Sequence, residues 1–327
     1  MRPLRLLPLL ALLAGSLSSA ELLNVSYDVT REYFKDINTA FAARWQKDHG
    51  DAVTVNQSHG GSSKQARSVI DGLQADVVTM NQASDIDRIA AAKILPKAWR
   101  EEFPNGSAPT SSTIIFVVRQ GNPKGIKDWD DLIKRGVSVI VPNPKTSGNG
   151  RYSYLAAWTF ALRANGHDEA KATEFIRRLF ANVPVFDTGG RGATTTFAQR
   201  GIGDVLLTFE NEVGLITSDV GGKGLEAVVP SISIRADNPV AVVAKYAAKH
   251  GNEELAKAYL NFLYSPEGQA IAVRHHLRPT DPALLAQGAD RYARPQLVTV
   301  EEAAGGWDAA FKVHFNDGAL FDKITAR

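Results

Sequence analysis

A chain of 327 residues, 44% hydrophobic and 22% charged, is long enough to bury a sizeable core and too apolar to stay disordered. That leaves two domains or one large α/β unit. Its 37 Lys and Arg against 35 Asp and Glu argue against nucleic acid or an anionic membrane surface as the main partner. With no cysteine, disulfides, thiolate metal sites, a cysteine nucleophile and a lipid-modified cysteine are all excluded.

Residues 1–20 have the parts of a secretory signal. Arg2 and Arg5 form the charged start, Leu6 to Gly15 the apolar segment, and Ser18-Ser19-Ala20 a small-residue cleavage site. The apolar run is shorter than the roughly 20 residues that span a bilayer. A soluble, exported mature chain is therefore expected, beginning after Ala20.

The mature chain opens with a strand, Leu22 to Tyr27, then a helix to about His49 in which Phe34, Ile37, Phe41 and Trp45 form one apolar stripe. Ala52 to Val55 reads as a strand. Ser58 to Lys64 follows, then a helix with Ala66, Val69, Ile70 and Leu73 on one face, and a strand at Asp76 to Met80. This alternation predicts a parallel sheet. It resumes after the β-branched run Ser112 to Val118 and the breaker Gly121 to Gly125. Strands are expected at Val137 to Val141, Val183 to Phe186, Gly203 to Phe209, Leu225 to Pro230 and Val240 to Val243. Helices are expected from Tyr152, over Glu169 to Phe180 and over Glu253 to Tyr264. The chain near Ser112 and around Pro230 to Pro239 is where it should cross between two lobes. The expected division is 21–112 plus 231–327 for lobe I and 113–230 for lobe II.

Three loops share one grammar: Ser58 to Lys64, Asn143 to Arg151 and Thr188 to Thr194 each place glycines and hydroxyls where a strand passes to a helix. The first N–H groups of a helix have no intrahelical partner and attract anions. Open α/β sheets bind ligands at the carboxyl ends of their strands, so the loops are expected to meet in one crevice. Catalysis has little support. The seven histidines lack zinc-ligand spacing, there is no Gly-x-Ser-x-Gly elbow, and Gly201-Ile202-Gly203 precedes a strand instead of a helix.

Five ordered motifs carry a resemblance. Leu23 to Asp28, Gln57 to Gln65, Asn143 to Asn149, Asp187 to Thr194 and Tyr264 to Gly268 resemble the periplasmic sulfate- and thiosulfate-binding proteins of ABC importers. The similarity runs over essentially the whole mature chain from Glu21. It implies a two-lobe periplasmic-binding-protein fold of type II, α/β, with a mainly parallel sheet in each lobe and the ligand cleft between them. It further implies a binding protein and not an enzyme, a monomer without cofactor or metal, and delivery of thiosulfate or sulfate to a membrane permease and its ATPase. Motif by motif, the resemblance implies backbone N–H donation from Asp28, Ser62, Gly148, Asn149 and Gly190, and a hydroxyl donor at Ser147. Arg191 is expected to support the loop backbone and nearby carboxylates, and His59 to be structural. Where sulfate binders of the family place a tryptophan, this chain has Phe209. Losing the indole donor leaves an apolar wall suited to the softer terminal sulfur of thiosulfate, and the chain is similar above all to the thiosulfate-binding type.

Overall fold

The computed structural model describes residues 20–218 and 224–326; the expected signal segment, Ala20 apart, lies outside the described residues. The strands are β1 (Ala20–Tyr27), β2 (Val53–Gly60), β3 (Val77–Thr79), β4 (Thr110–Arg119), β5 (Val139–Ile140), β6 (Val205–Phe209), β7 (Leu225–Val228), β8 (Ile232–Asn238), β9 (Val240–Val242), β10 (Arg278–Pro279) and β11 (Gln296–Val298). They form a smaller sheet, β2-β1-β3-β9, and a larger one, β11-β8-β4-β6-β5, with β7 and β10 also pairing to β4.

Period-two alternation explains how each sheet is covered on both faces. In the smaller sheet Leu22, Val77, Val240 and Val242 face the helix Arg31–His49 and the helices after residue 244. Val25, Val78, Ala241 and Val243 face the helices Ser62–Ile70 and Ala83–Ala91. In the larger sheet Phe116, Val118, Val205 and Leu207 join the main core, while Val117 and Leu206 face Ala193, Phe197 and Ile216.

The smaller sheet is parallel across β2, β1 and β3, as the alternation predicts; only β9 runs antiparallel. The larger sheet departs from the expected parallel pairing. β4 runs antiparallel to β6, β7, β8 and β10, leaving β5 with β6 and β8 with β11 parallel. The reason is topological: β4 enters this sheet from the other one, and no crossover helix fixes its direction. Two more differences are local. Val183 to Phe186 is not a strand; the flanking Asn182 and Asp187 carbonyls only accept isolated bonds from the Val139 and Asn143 N–H groups (2.9 and 2.8 Å). Ile232–Asn238, anticipated only as a crossing, is a full strand paired to β4 from Thr110↔Asn238 to Thr113↔Arg235.

The chain passes between the sheets from β3 to β4 and, with Pro239 alone intervening, from β8 to β9. Asn238 binds this crossing together, accepting from the Tyr27 hydroxyl (3.0 Å) and donating to Thr110 Oγ1 (3.1 Å). Residues 244–277 pack on the smaller sheet, whereas Val298, Trp307, Phe311, Phe315, Phe321 and Ile324 join the core of the larger one. Trp129 anchors that core: it is fully buried, packs edge-on against Phe116 at 4.8 Å and donates its indole N–H to the Ile232 carbonyl at 2.8 Å. Trp129→Ala is expected to cost about 3–5 kcal/mol through cavity and lost bond, read as a lower midpoint in urea unfolding with unchanged slope.

Candidate functional site

Four short stretches begin helical structure at neighbouring points. Asp28 starts a turn after β1, Ser62 a helix after β2, Gly148 the helix Gly148–Ala164, and Gly190 the turn Gly190–Thr194. In none of them does the preceding residue cap the helix with its side chain. The first N–H groups of each are therefore left without intrahelical partners, at the positive end of the helix dipole.

Glycines let these stretches interlock. A Cβ on Gly61 would lie 2.7 Å from the Thr188 carbonyl oxygen and 2.9 Å from that of Thr146, and Thr146 Oγ1 donates to the same Thr188 carbonyl at 3.0 Å. A Cβ on Gly190 would meet Val29 at 2.8 Å and the Asn149 amide at 3.4 Å. One on Gly148 would collide with the Asn81 side chain, and one on Gly189 with the Asp28 carboxylate. The structure thus brings Asp28, Ser62, Ser147, Gly148, Asn149 and Gly190 together, from loops belonging to both sheets.

The side chains around this point are mostly committed elsewhere. Ser62 donates its hydroxyl to Asp85 (2.6 Å), which leaves its N–H as the available donor. Asn149 uses its amide to reach Thr208 Oγ1 (3.4 Å) and accepts from Ser153 Oγ (3.3 Å). Asp28 turns its carboxylate to the Arg191 N–H (3.2 Å), and burial raises its pKa from the ordinary value. Ser147 is 2% exposed and its hydroxyl does not cap the helix it precedes. Lys145 is drawn away to the Phe315 carbonyl, Asp317 and Asp322, each at 3.0 Å. His59 sits against the Tyr27 carbonyl (3.3 Å), its pKa pushed down to about 4 by burial.

Two arginines stand one layer out. Arg191 reaches Glu32 at 2.9 Å and Glu212 at 3.5 Å. Arg151 is 1% exposed; it donates to Ser63 Oγ (2.7 Å) and the Lys145 carbonyl (2.9 Å), and its guanidinium lies over the Phe311 ring at 4.9 Å. Arg88 covers the same ring at 4.2 Å. Burial lowers the Arg151 pKa to about 10 despite the Asp85 carboxylate nearby. Phe209, the last residue of β6, is 1% exposed and packs edge-on between Tyr27 (6.3 Å) and Tyr152 (6.0 Å).

Sequence reading did not single out Asn81, Gln82, Asp85 or Arg151 as site residues. Asn81 and Gln82 lie between β3, after Met80, and the helix Ala83–Ala91, the same strand-to-helix handover as the recognised loops. Their side-chain carbonyl oxygens are buried without a partner. That handover was the available signal; the absence of glycine hid it.

Residues 29–278 match the family of bacterial extracellular solute-binding proteins. A thiosulfate-binding protein of Pseudomonas aeruginosa is 55% identical over 314 residues, covering 95% of this chain and 94% of that one. A sulfate-binding protein of Escherichia coli is 50% identical over 319 residues, covering 98% and 97%. The solved sulfate-binding protein SubI from Mycobacterium tuberculosis superposes with a TM-score of 0.82 at 33% identity, covering 91% of this chain and all of that one.

Glu212 supplies a pH test of this region. It is 1% exposed, and burial pushes its pKa from 4.5 up to about 8, with Arg191 opposing. The folded state thus holds this proton more tightly than the unfolded state. The resulting stability is fully present below about pH 4.5 and lost as pH rises through about 8. Between pH 5 and pH 9 the wild type is expected to lose on the order of 2–4 kcal/mol relative to Glu212→Gln. Urea unfolding of both proteins at the two pH values measures the difference.

Proposed function

This chain belongs to the bacterial extracellular solute-binding proteins, and on that footing we propose that it is the periplasmic receptor of an ABC importer, binding thiosulfate or sulfate between two lobes. The observation that carries this reading is the meeting of four uncapped helix starts from both sheets around Ser147. Neutral N–H dipoles solvate a fully ionised oxyanion without a countercharge. The names of the relatives support the same ligand class. In this reading Asp28, Ser62, Gly148, Asn149 and Gly190 donate backbone N–H groups and Ser147 its hydroxyl. Arg191 holds the loop at Gly190 against Glu32, and Phe209 forms the apolar wall. The crossing strands β4 and β8 serve as the hinge, and closure is favoured because the anion touches both lobes. The bound receptor then delivers its anion to the permease and its ATPase.

Phosphate is the second reading. Monoprotonated phosphate has a proton to donate and needs a carboxylate acceptor. The Asp85 carboxylate already accepts from the Ser62 and Ser63 hydroxyls, and Asp28 from the Arg191 N–H. These occupied acceptors favour a fully ionised anion.

Titration calorimetry with thiosulfate, sulfate and phosphate is expected to give saturable binding of the first two, thiosulfate no weaker than sulfate, and no binding of phosphate. Thiosulfate binding far weaker than sulfate defeats the proposed role of Phe209. Ser147→Ala removes a charge-assisted donor worth roughly 1.5–3 kcal/mol, so affinity should fall roughly 10- to 100-fold. Phe209→Trp should shift preference toward sulfate. Gly61→Ala places a methyl against two backbone oxygens that cannot retreat unless the loops part, and should weaken both anions with little change in the stability of the unliganded chain.

A further inference from the structure

A cavity of about 600 Å³ lies on the seam between the two sheets, and none of the loop residues assigned to the anion lines it. Its walls come from residues 83–108 on the side of the smaller sheet and 299–308 on the side of the larger, with Arg235 and Asp237 of β8 between them. That volume is in the range of small-molecule sites. The charge of the lining is uneven. Arg100 is spent on Asp87 at 2.7 Å and Arg235 on Asp237 at 3.0 Å. Glu301 and Asp308 also line the cavity, and no ion pair engages either among the described residues, so the lining is net negative.

Tyr152 lines the cavity, is 2% exposed, and its hydroxyl has no hydrogen-bond partner among the described residues. Burial and the carboxylates of Asp237 and Glu301 keep that hydroxyl protonated. Beside it Trp307, 9% exposed, meets the Tyr152 ring edge-on at 5.2 Å. In the proposed anion site Tyr152 serves only as packing for Phe209, which leaves its hydroxyl unused there. Among the described residues no three Asp, Glu or His side chains stand close enough together to hold a metal ion. The negative charge is spread along the seam, next to aromatic surface. Such a lining suits a multi-atom cation with an apolar stem better than a point charge.

We propose that this cavity is a binding site for a small organic cation of the alkylamine class, with Glu301 and Asp308 pairing its ammonium groups, the Tyr152 hydroxyl oxygen accepting from one of them, and the Tyr152 and Trp307 rings covering its stem. Because the two walls belong to different sheets, a bound amine favours the same closed arrangement as the anion. This part rests on the receptor reading above, and the two ligands should then raise each other's affinity reciprocally.

Calorimetry of the mature chain with spermidine at low ionic strength tests the site directly, with or without any anion. Saturable one-to-one binding is expected, weakened roughly tenfold or more by Glu301→Gln with Asp308→Asn and also weakened by Tyr152→Phe. The double variant should bind thiosulfate alone as the wild type does, which shows that it is folded. Spermidine should raise thiosulfate affinity about fivefold or more, at the lower end of typical couplings. No spermidine binding, equal competition by magnesium at matched charge, or binding that survives the double variant overturns the site. Spermidine binding without an effect on thiosulfate overturns its placement across the closing seam. Loss of thiosulfate binding with spermidine binding retained would sink the receptor reading and leave the amine site standing.

Discussion

The arrangement depends on one electrostatic constraint: several helix starts with free N–H groups are held facing one another. Like ends of dipoles repel, and unsatisfied donors away from water are costly. The protein manages part of this itself. The Asp28 carboxylate accepts from the Arg191 N–H at the start of the turn Gly190–Thr194. Glycines at 61, 148, 189 and 190 let the loops approach closely. The remaining donors are the ones that the proposed oxyanion would satisfy.

Formal charges are kept one layer back. Arg151 and Asp85 flank Ser63, and Arg191 stands between Glu32 and Glu212. A buried ion left unpaired costs several kcal/mol, which explains why each arginine is matched by a carboxylate nearby. Phe311 adds a polarisable face between Arg88 and Arg151, residues carried by helices that pack on different sheets. The result is a ring of compensated charges around the converging loops, which stiffens them.

The glycine- and hydroxyl-rich loops were legible because their chemistry is local: a strand, a turn and a helix start are written in a dozen adjacent residues. Most strands of both sheets were legible for the same reason, since Val, Ile and Phe runs bounded by Gly and Pro specify them. What was not legible is non-local. The strand Ile232–Asn238, ISIRADN, looks too polar for a central position until Ser233 is seen accepting from Thr113 Oγ1 (2.8 Å) and donating to the Ile114 carbonyl (2.7 Å) across β4. The residues from Val298 onward read only as broken helix, and nothing in them announces that they cross to the core of the larger sheet. Arg151 closes the recognised loop by sequence, yet its role depends on Ser63, a partner 88 positions away. Phe209 was readable as a missing donor, but its seat between Tyr27 and Tyr152 was not.

The link through Pro239 has a consequence for how the molecule is made. The smaller sheet begins at Ala20 but ends with β9 at residues 240–242, and its helical cover runs on to residue 277. Its first three strands therefore leave the ribosome with an open edge and one face covered only by the helix Arg31–His49, and they wait for nearly the whole of the other sheet to be synthesised. Contacts of such long sequence separation form slowly. Early chain segments would then stay loose until the end of translation, a property that serves any protein which must be threaded through a narrow passage before it folds.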